Sequence, residues 1–151
     1  MSIKNIICLL FSVNLAAQVV TIPSGCPTAY YSSLPTLTAP YGSMPIGNTI
    51  FEVNNNINGG IVFLLMGLSN YHANPWTNLQ SPLDLGFVNP YLSGCNLISP
   101  AIGSQVWASI TTTVTFNVNV IVYEPIIFQA MVIAPNPAGF TLTNALEYWA
   151  N

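Results

Sequence analysis

Thr112-Thr113-Val114-Thr115-Phe116-Asn117-Val118-Asn119-Val120-Ile121-Val122 is the stretch that decides the fold. Val114, Phe116, Val118, Val120 and Val122 fall on one side of an extended chain, and Thr113, Thr115, Asn117 and Asn119 fall on the other. Side chains alternate across a strand, so a period of two sorts them onto two faces. β-branched and aromatic residues fit such a pleated, half-buried surface. The segment therefore predicts a strand with one face on a core and one in water.

C-terminal to it, Ile126 to Ile133 is apolar on both faces and reads as a central strand, terminated by Pro135 and Pro137 around Asn136. Gly139 to Glu147 reads as a final strand with Phe140, Leu142, Asn144 and Leu146 on one side. Towards the N-terminus, Val106–Ile110, Cys95–Ser99 and Leu83-Asp84-Leu85 are further short strands. Ile61 to Leu68 is a continuous apolar run, as expected of a strand buried on both faces. Before it, Asn54 to Gly60 is rich in Asn and Gly, which tolerate left-handed backbone, and reads as a hairpin loop. Asn48 to Val53 alternates, with Ile50 opposite Phe51 and Val53. Leu34 to Thr38 holds an edge strand, since Pro35 cannot donate to a ladder. Pro23 to Pro45 is otherwise extended and loop-like, and Gln18-Val19-Val20-Thr21-Ile22 is a short β-prone lead.

No helix of normal length emerges from this pattern. About eight to nine short strands, separated by turn signals, predict an all-β chain folded as an antiparallel β-sandwich. An eight-stranded membrane barrel is the competing topology, but it wants a polar lumen. Two segments apolar on both faces suit a sandwich core better.

Residues 1–17 run from Lys4 through an apolar stretch, Ile6 to Val13, to Leu15-Ala16-Ala17. A basic start, a short apolar run and a small-residue exit are the layout of a secretory signal peptide. The expected organisation is a signal peptide over 1–17 and a single secreted domain over 18–151, placing the protein outside the cell or at its surface. Cleavage after Ala17 removes Cys8 and leaves Cys26 and Cys95, an even count that predicts a disulfide in an exported chain.

Charge is nearly absent. The 151 residues include one Lys or Arg and four Asp or Glu, 3% charged in all, while the hydrophobic fraction is 52%. Soluble domains average about 25% charged residues. Nucleic-acid binding needs a field of Lys and Arg, and phosphate chemistry needs a cationic clamp; Lys4 alone supplies neither. Once Lys4 has left with the signal, the mature chain offers trypsin no site.

Several short motifs stand in a shared order. They are Gly25-Cys26-Pro27, Pro35-Thr36-Leu37, Pro45-Ile46-Gly47-Asn48, Phe63-Leu64-Leu65-Met66-Gly67-Leu68-Ser69, Pro82-Leu83-Asp84-Leu85, Gly94-Cys95-Asn96-Leu97, Phe128-Gln129-Ala130, Pro135-Asn136-Pro137-Ala138-Gly139 and Thr143-Asn144-Ala145-Leu146. In this order they resemble an uncharacterised secreted β-domain abundant in planctomycetes and other environmental bacteria. The resemblance covers nearly all of the mature chain. It implies an all-β secreted module, supports the Cys26–Cys95 bridge and implies no activity. Where that family usually carries Asp, this chain has Ala134.

The residues available for catalysis are few. A hydrolytic triad would have to use His72, the single histidine, and no Gly-x-Ser-x-Gly elbow occurs. A glycosidase pair would draw on Asp84 and Glu124; Glu52 and Glu147 flank strands and read as solvated. Zinc needs clustered Cys and His, and calcium needs neighbouring carboxylates; Asp84 with backbone carbonyls is the most this chain offers. No catalytic residue, metal set or cofactor is expected.

Two non-enzymatic readings remain. Neutral glycans bind through aromatic stacking and amide hydrogen bonds, and the Ser69–Pro82 loop offers Tyr71, His72, Asn74 and Trp76, with Tyr30 and Tyr31 as possible neighbours. Self-assembly is the other. An uncharged surface lacks the repulsion that keeps copies apart, and Gln18 to Ile22 is a strand that could be donated to a neighbour. The leading expectation is a structural or surface-assembly subunit of a filament, sheath or surface layer.

Overall fold

The computed structural model describes residues 18–24, 26, 33–39, 47–56, 60–68, 82–98, 103–108, 111–120 and 125–149. The elements are strands β1 (Gln18–Ile22), β2 (Thr36–Thr38), β3 (Gly47–Asn54), β4 (Ile61–Leu68), β5 (Leu83–Asp84), β6 (Asn96–Leu97), β7 (Gly103–Ala108), β8 (Thr113–Val120), β9 (Ile126–Ile133) and β10 (Phe140–Trp149). Two single 3-10 turns, Leu85–Phe87 and Pro90–Leu92, lie between β5 and β6. A five-stranded sheet has the order β1-β10-β9-β4-β7, a three-stranded sheet the order β2-β3-β8, and β5 pairs with β6; every pairing is antiparallel.

The two larger sheets share one core. From the three-stranded sheet come Leu37, Phe51, Val53, Val114, Phe116, Val118 and Val120; from the five-stranded sheet come Val62, Leu64, Ile126, Phe128, Ala130, Val132, Leu146 and Tyr148. Phe51 and Phe128 meet across the gap with ring centroids 4.3 Å apart. This is a β-sandwich. β8 keeps the expected alternation, with Val114, Phe116, Val118 and Val120 buried and Thr113, Thr115, Asn117 and Asn119 exposed.

The third layer explains why β9 is apolar on both faces. Residues 82–98 lie over the outer face of the five-stranded sheet. Leu85, Leu92 and Cys95 pack there with Leu142 and Cys26, and Ile98 packs with Ile127 and Ala145. The disulfide between Cys26 and Cys95, 69 residues apart in sequence, ties this layer to the segment that follows β1. Gln129, fully buried in β9, holds it as well. Its Oε1 accepts from Ile98 N–H at 2.9 Å, and its Nε2 donates to Asn96 O at 3.0 Å and Thr143 O at 3.1 Å. A polar side chain in an apolar strand must find such partners, because an unpaired buried amide costs more than the bonds return.

Three sequence readings are corrected. The Asn54–Gly60 run is not a hairpin loop: β3 lies in the three-stranded sheet and β4 in the five-stranded one, so the chain changes sheets there. Asn55 takes the expected left-handed conformation, with φ of 60°. Both edges of β3 are occupied, by β2 and β8, which leaves β4 no place beside it. Next, β4 is not buried along both faces: on its inner face Val62 and Leu64 are buried and Met66 and Leu68 half-buried, while on the outer face Ile61 is exposed and Phe63 and Leu65 are half-buried. Finally, Leu142 and Leu146 do not share a face. Leu142 packs under the third layer and Leu146 in the sandwich core. A β-bulge between Leu142 and Ala145 inserts an extra residue and inverts the alternation. At the bulge, the Thr143 hydroxyl accepts from Ala130 N–H at 2.9 Å and donates to Asn144 O at 2.7 Å, restoring the ladder that the bulge breaks.

Candidate functional site

The lead Gln18–Ile22 is β1, at the edge of the five-stranded sheet. It pairs with β10 over all five residues, from Gln18↔Trp149 to Ile22↔Ala145. In this conformation the strand completes its own chain's sheet. No described strand lies on its other side, and none of its side chains is charged. Val19 faces inward and packs against the sandwich core, whereas Val20 is exposed on the opposite face.

The sandwich is uneven, five strands against three, and this opens a groove. The short strand β2 packs over β10, fastened there by Asn144, and no described strand stands opposite the inner face of β1. A groove of about 650 Å³ runs along this seam. Its described lining is Val19 and Thr21 from β1, Thr36, Leu37, Thr38 and Ala39 from β2 and the residue after it, and Asn144 and Leu146 from β10, with Leu37 and Leu146 buried at its base. Among the described residues, no charged side chain lines it.

The third layer carries the most exposed apolar residues of the described chain. Phe87 is 84% exposed, Val88 70% and Tyr91 54%. They sit around the two 3-10 turns, where the backbone is closely braced. Asp84 Oδ1 accepts from Gly86 N–H at 2.8 Å and from Gly94 N–H at 3.1 Å. Asn89 Oδ1 accepts from Tyr91 N–H at 3.1 Å, and Leu85 N–H donates to Cys95 O at 2.8 Å. Gly86 is required at its position, because a Cβ there would stand 2.7 Å from the Ser93 backbone. The disulfide and Gln129 anchor the base of the layer, so Phe87, Val88 and Tyr91 form a knob on a rigid mount.

This knob was not foreseen from the sequence. The available signal is the pair Phe87-Val88 between Gly86 and Asn89-Pro90. Two adjacent apolar residues in a tight turn cannot both point at the same core.

Of the residues expected to matter, Cys26 and Cys95 are joined as expected. Asp84 serves the brace just described. Tyr71, His72, Asn74 and Trp76 lie outside the described residues, as do Tyr30, Tyr31, Glu124 and the segment 1–17. Among the described residues, no three His, Cys, Asp or Glu side chains gather into a metal-holding group, and no helix is long and apolar enough to cross a membrane. Burial raises the pKa of the Tyr148 phenol above its ordinary 10.0. No protein-family model, no curated protein and no solved structure matches the chain.

Proposed function

We propose that the protein is a non-enzymatic extracellular structural subunit that assembles with copies of itself on the β1 side of the sandwich. The observation that carries this reading is the β1 edge. Natural sheets guard their edges with Lys, Pro, bulges or a covering segment. Within β1 there is no charged side chain, no proline and no bulge, and it pairs in register with β10 along its whole length. Such an edge is suited to pairing with another copy or to exchanging its strand with one. A surface poor in charge removes the repulsion that would oppose the approach.

The test is electron microscopy and size-exclusion of native secreted material. Polymers are expected, and they disappear when Gln18–Ile22 is deleted. A cysteine pair at the register partners Val20 and Glu147 reports the form of the link: bonds within one chain mean the strand stays home, and bonds between chains mean exchange. A strict monomer that binds neutral glycans sinks the reading.

That outcome is the second reading, a carbohydrate-binding module. The observation favouring it is the pair of exposed rings, Phe87 and Tyr91, with the amide of Asn89 between them in sequence. Tyr71, His72, Asn74 and Trp76 are the loop residues proposed to bind sugar, and glycan capture lost in Trp76→Ala supports them.

A further inference from the structure

We propose that residues 18–26 act as one strap, and that closing the Cys26–Cys95 bridge locks β1 into the sheet it has joined, so that β1 passes between copies only in the dithiol form. This rests on the self-assembly reading above and names what regulates the exchange of β1. The lock itself lies within one chain.

The strap has two halves. Gln18 to Ile22 pairs with β10, and Pro23, which has no N–H for a ladder, ends the strand. Beyond it the chain crosses onto the third layer. Ile22 packs against the cluster that Ile98 forms with Ile127 and Ala145, Ser24 O accepts from Asn96 N–H at 2.7 Å, and Cys26 is bonded to Cys95. Positions 22, 24 and 26 thus meet 98, 96 and 95 in reverse order, so the two segments run antiparallel. Ser24 and Cys26 are buried, and the Ser24 hydroxyl lies 3.5 Å from Leu142 O of β10.

The first half is held less firmly. Among the described strands β1 has one neighbour, and Val20 and Thr21 are exposed. Segments with few buried contacts are the ones that open locally. The stretch from Ile22 to Cys26 spans at most about 14 Å, so a closed bridge returns an opened β1 to the same β10. A tether this short raises the effective concentration of the strand at its site. With the bridge open, the next described anchor along the chain is Leu37, held by Asn144. The short span also means that β1 cannot travel far and leave Cys26 behind. The strap moves as a unit, and an exchanged β1 brings its Cys26 beside the Cys95 of the copy it has joined.

Closure is a thiol–disulfide exchange. The two cysteine thiols yield two electrons and two protons to an external disulfide, which becomes two thiols, and the bond between the two Sγ atoms forms. Cys95 is fully buried and Cys26 is 6% exposed. A reductant's thiolate has little access to either sulfur, so a closed bridge fixes the place of β1 while the chain stays folded.

The test compares hydrogen exchange in the native disulfide form and in the dithiol form, refolded in dithiothreitol. On opening the bridge, the amides of Val19 to Ile22 and of Asn96 are expected to lose protection together, by at least about tenfold relative to those of β3. Loss at Asn96 with β1 unchanged, or an equal loss in β3, overturns the lock. In parallel, a Cys26→Ser copy mixed with a Cys95→Ser copy can close this bridge only between chains. After the two refold together and are oxidised with glutathione disulfide, covalent heterodimers are expected well above both homodimers. Oxidised wild-type copies carrying different tags are expected to form no covalent link on mixing. Heterodimers no more frequent than homodimers, in variants whose polymers still need Gln18–Ile22, overturn exchange of the strap while self-assembly stands. Protein that stays monomeric in both redox forms at every concentration overturns the self-assembly reading and the exchange with it; the lock within one chain then stands or falls on the β1 amides.

Discussion

The Asn144 side chain and the Leu37 backbone bond in both directions: Leu37 N–H donates to Asn144 Oδ1 at 2.9 Å, and Asn144 Nδ2 donates to Leu37 O at 3.0 Å. Two residues of antiparallel strands exchange bonds in this way. Here a side chain on the five-stranded sheet takes the place of a strand and holds the edge of the three-stranded sheet. The bulge before Ala145 is what turns Asn144 toward it.

Asn144→Ala is expected to cost about 2 kcal/mol, since it removes two hydrogen bonds and leaves a half-buried backbone pair unmet. Urea denaturation should show a lower midpoint with an unchanged slope. Asn144→Asp, which replaces the donor with an anion facing Leu37 O, should be worse than Ala at neutral pH.

Gln129→Met keeps the volume and removes three bonds to Ile98, Asn96 and Thr143. A loss of about 3 kcal/mol is expected from the buried groups left unpaired. Hydrogen exchange locates it: the amide of Ile98 should lose protection, while those of β8 keep it relative to global stability.

Replacing Cys26 and Cys95 together by Ser opens a loop of 69 residues. The chain-entropy model puts the cost at about 4 kcal/mol. Because the bridge anchors the third layer, the same variant should make the 82–98 segment a protease target before the sandwich itself unfolds, as limited proteolysis with chymotrypsin at Phe87 and Tyr91 can show.

Tyr148 links stability to alkaline pH. Burial raises its pKa above the ordinary 10.0, so the folded state keeps a proton that the unfolded chain gives up. The unfolded state then binds fewer protons, and stability falls as pH rises. The contribution is complete below pH 10 and is lost as pH climbs from there through the raised value. Denaturation midpoints between pH 9 and 12 should fall less steeply in Tyr148→Phe than in the wild type.

The strands were legible where one side chain in two is apolar. Val114 to Val120 shows its inner face directly, and Ile126 to Ile133 announces coverage on both sides. What covers the second face was not legible, because the third layer is built from turns, a disulfide and one glutamine rather than from a periodic element. The β10 register was misread for a related reason. Leu142 and Leu146 are spaced as same-face neighbours, and a bulge leaves no mark in a hydrophobic pattern. Likewise, the Asn54–Gly60 turn shows in its residues, but no local signal says which strand comes next to β3. The groove was hidden because it depends on the unequal strand counts of two sheets. The knob was hidden because Phe87 and Val88 look like ordinary core residues until the turn around them is known.

The β1–β10 pairing also bears on when this chain can fold. The first strand and the last are neighbours in one sheet, and β10 is also the link from β1 to β9. Until the final ten-residue strand is available, β1 has no partner. Pairings this remote in sequence make for slow folding, because the entropy of closing the loop is spent before any contact repays it. A nascent chain of this topology can pair β3 with β8 and β4 with β9 early, but its five-stranded sheet stays open at the β9 edge, with β1 unplaced, until β10 arrives.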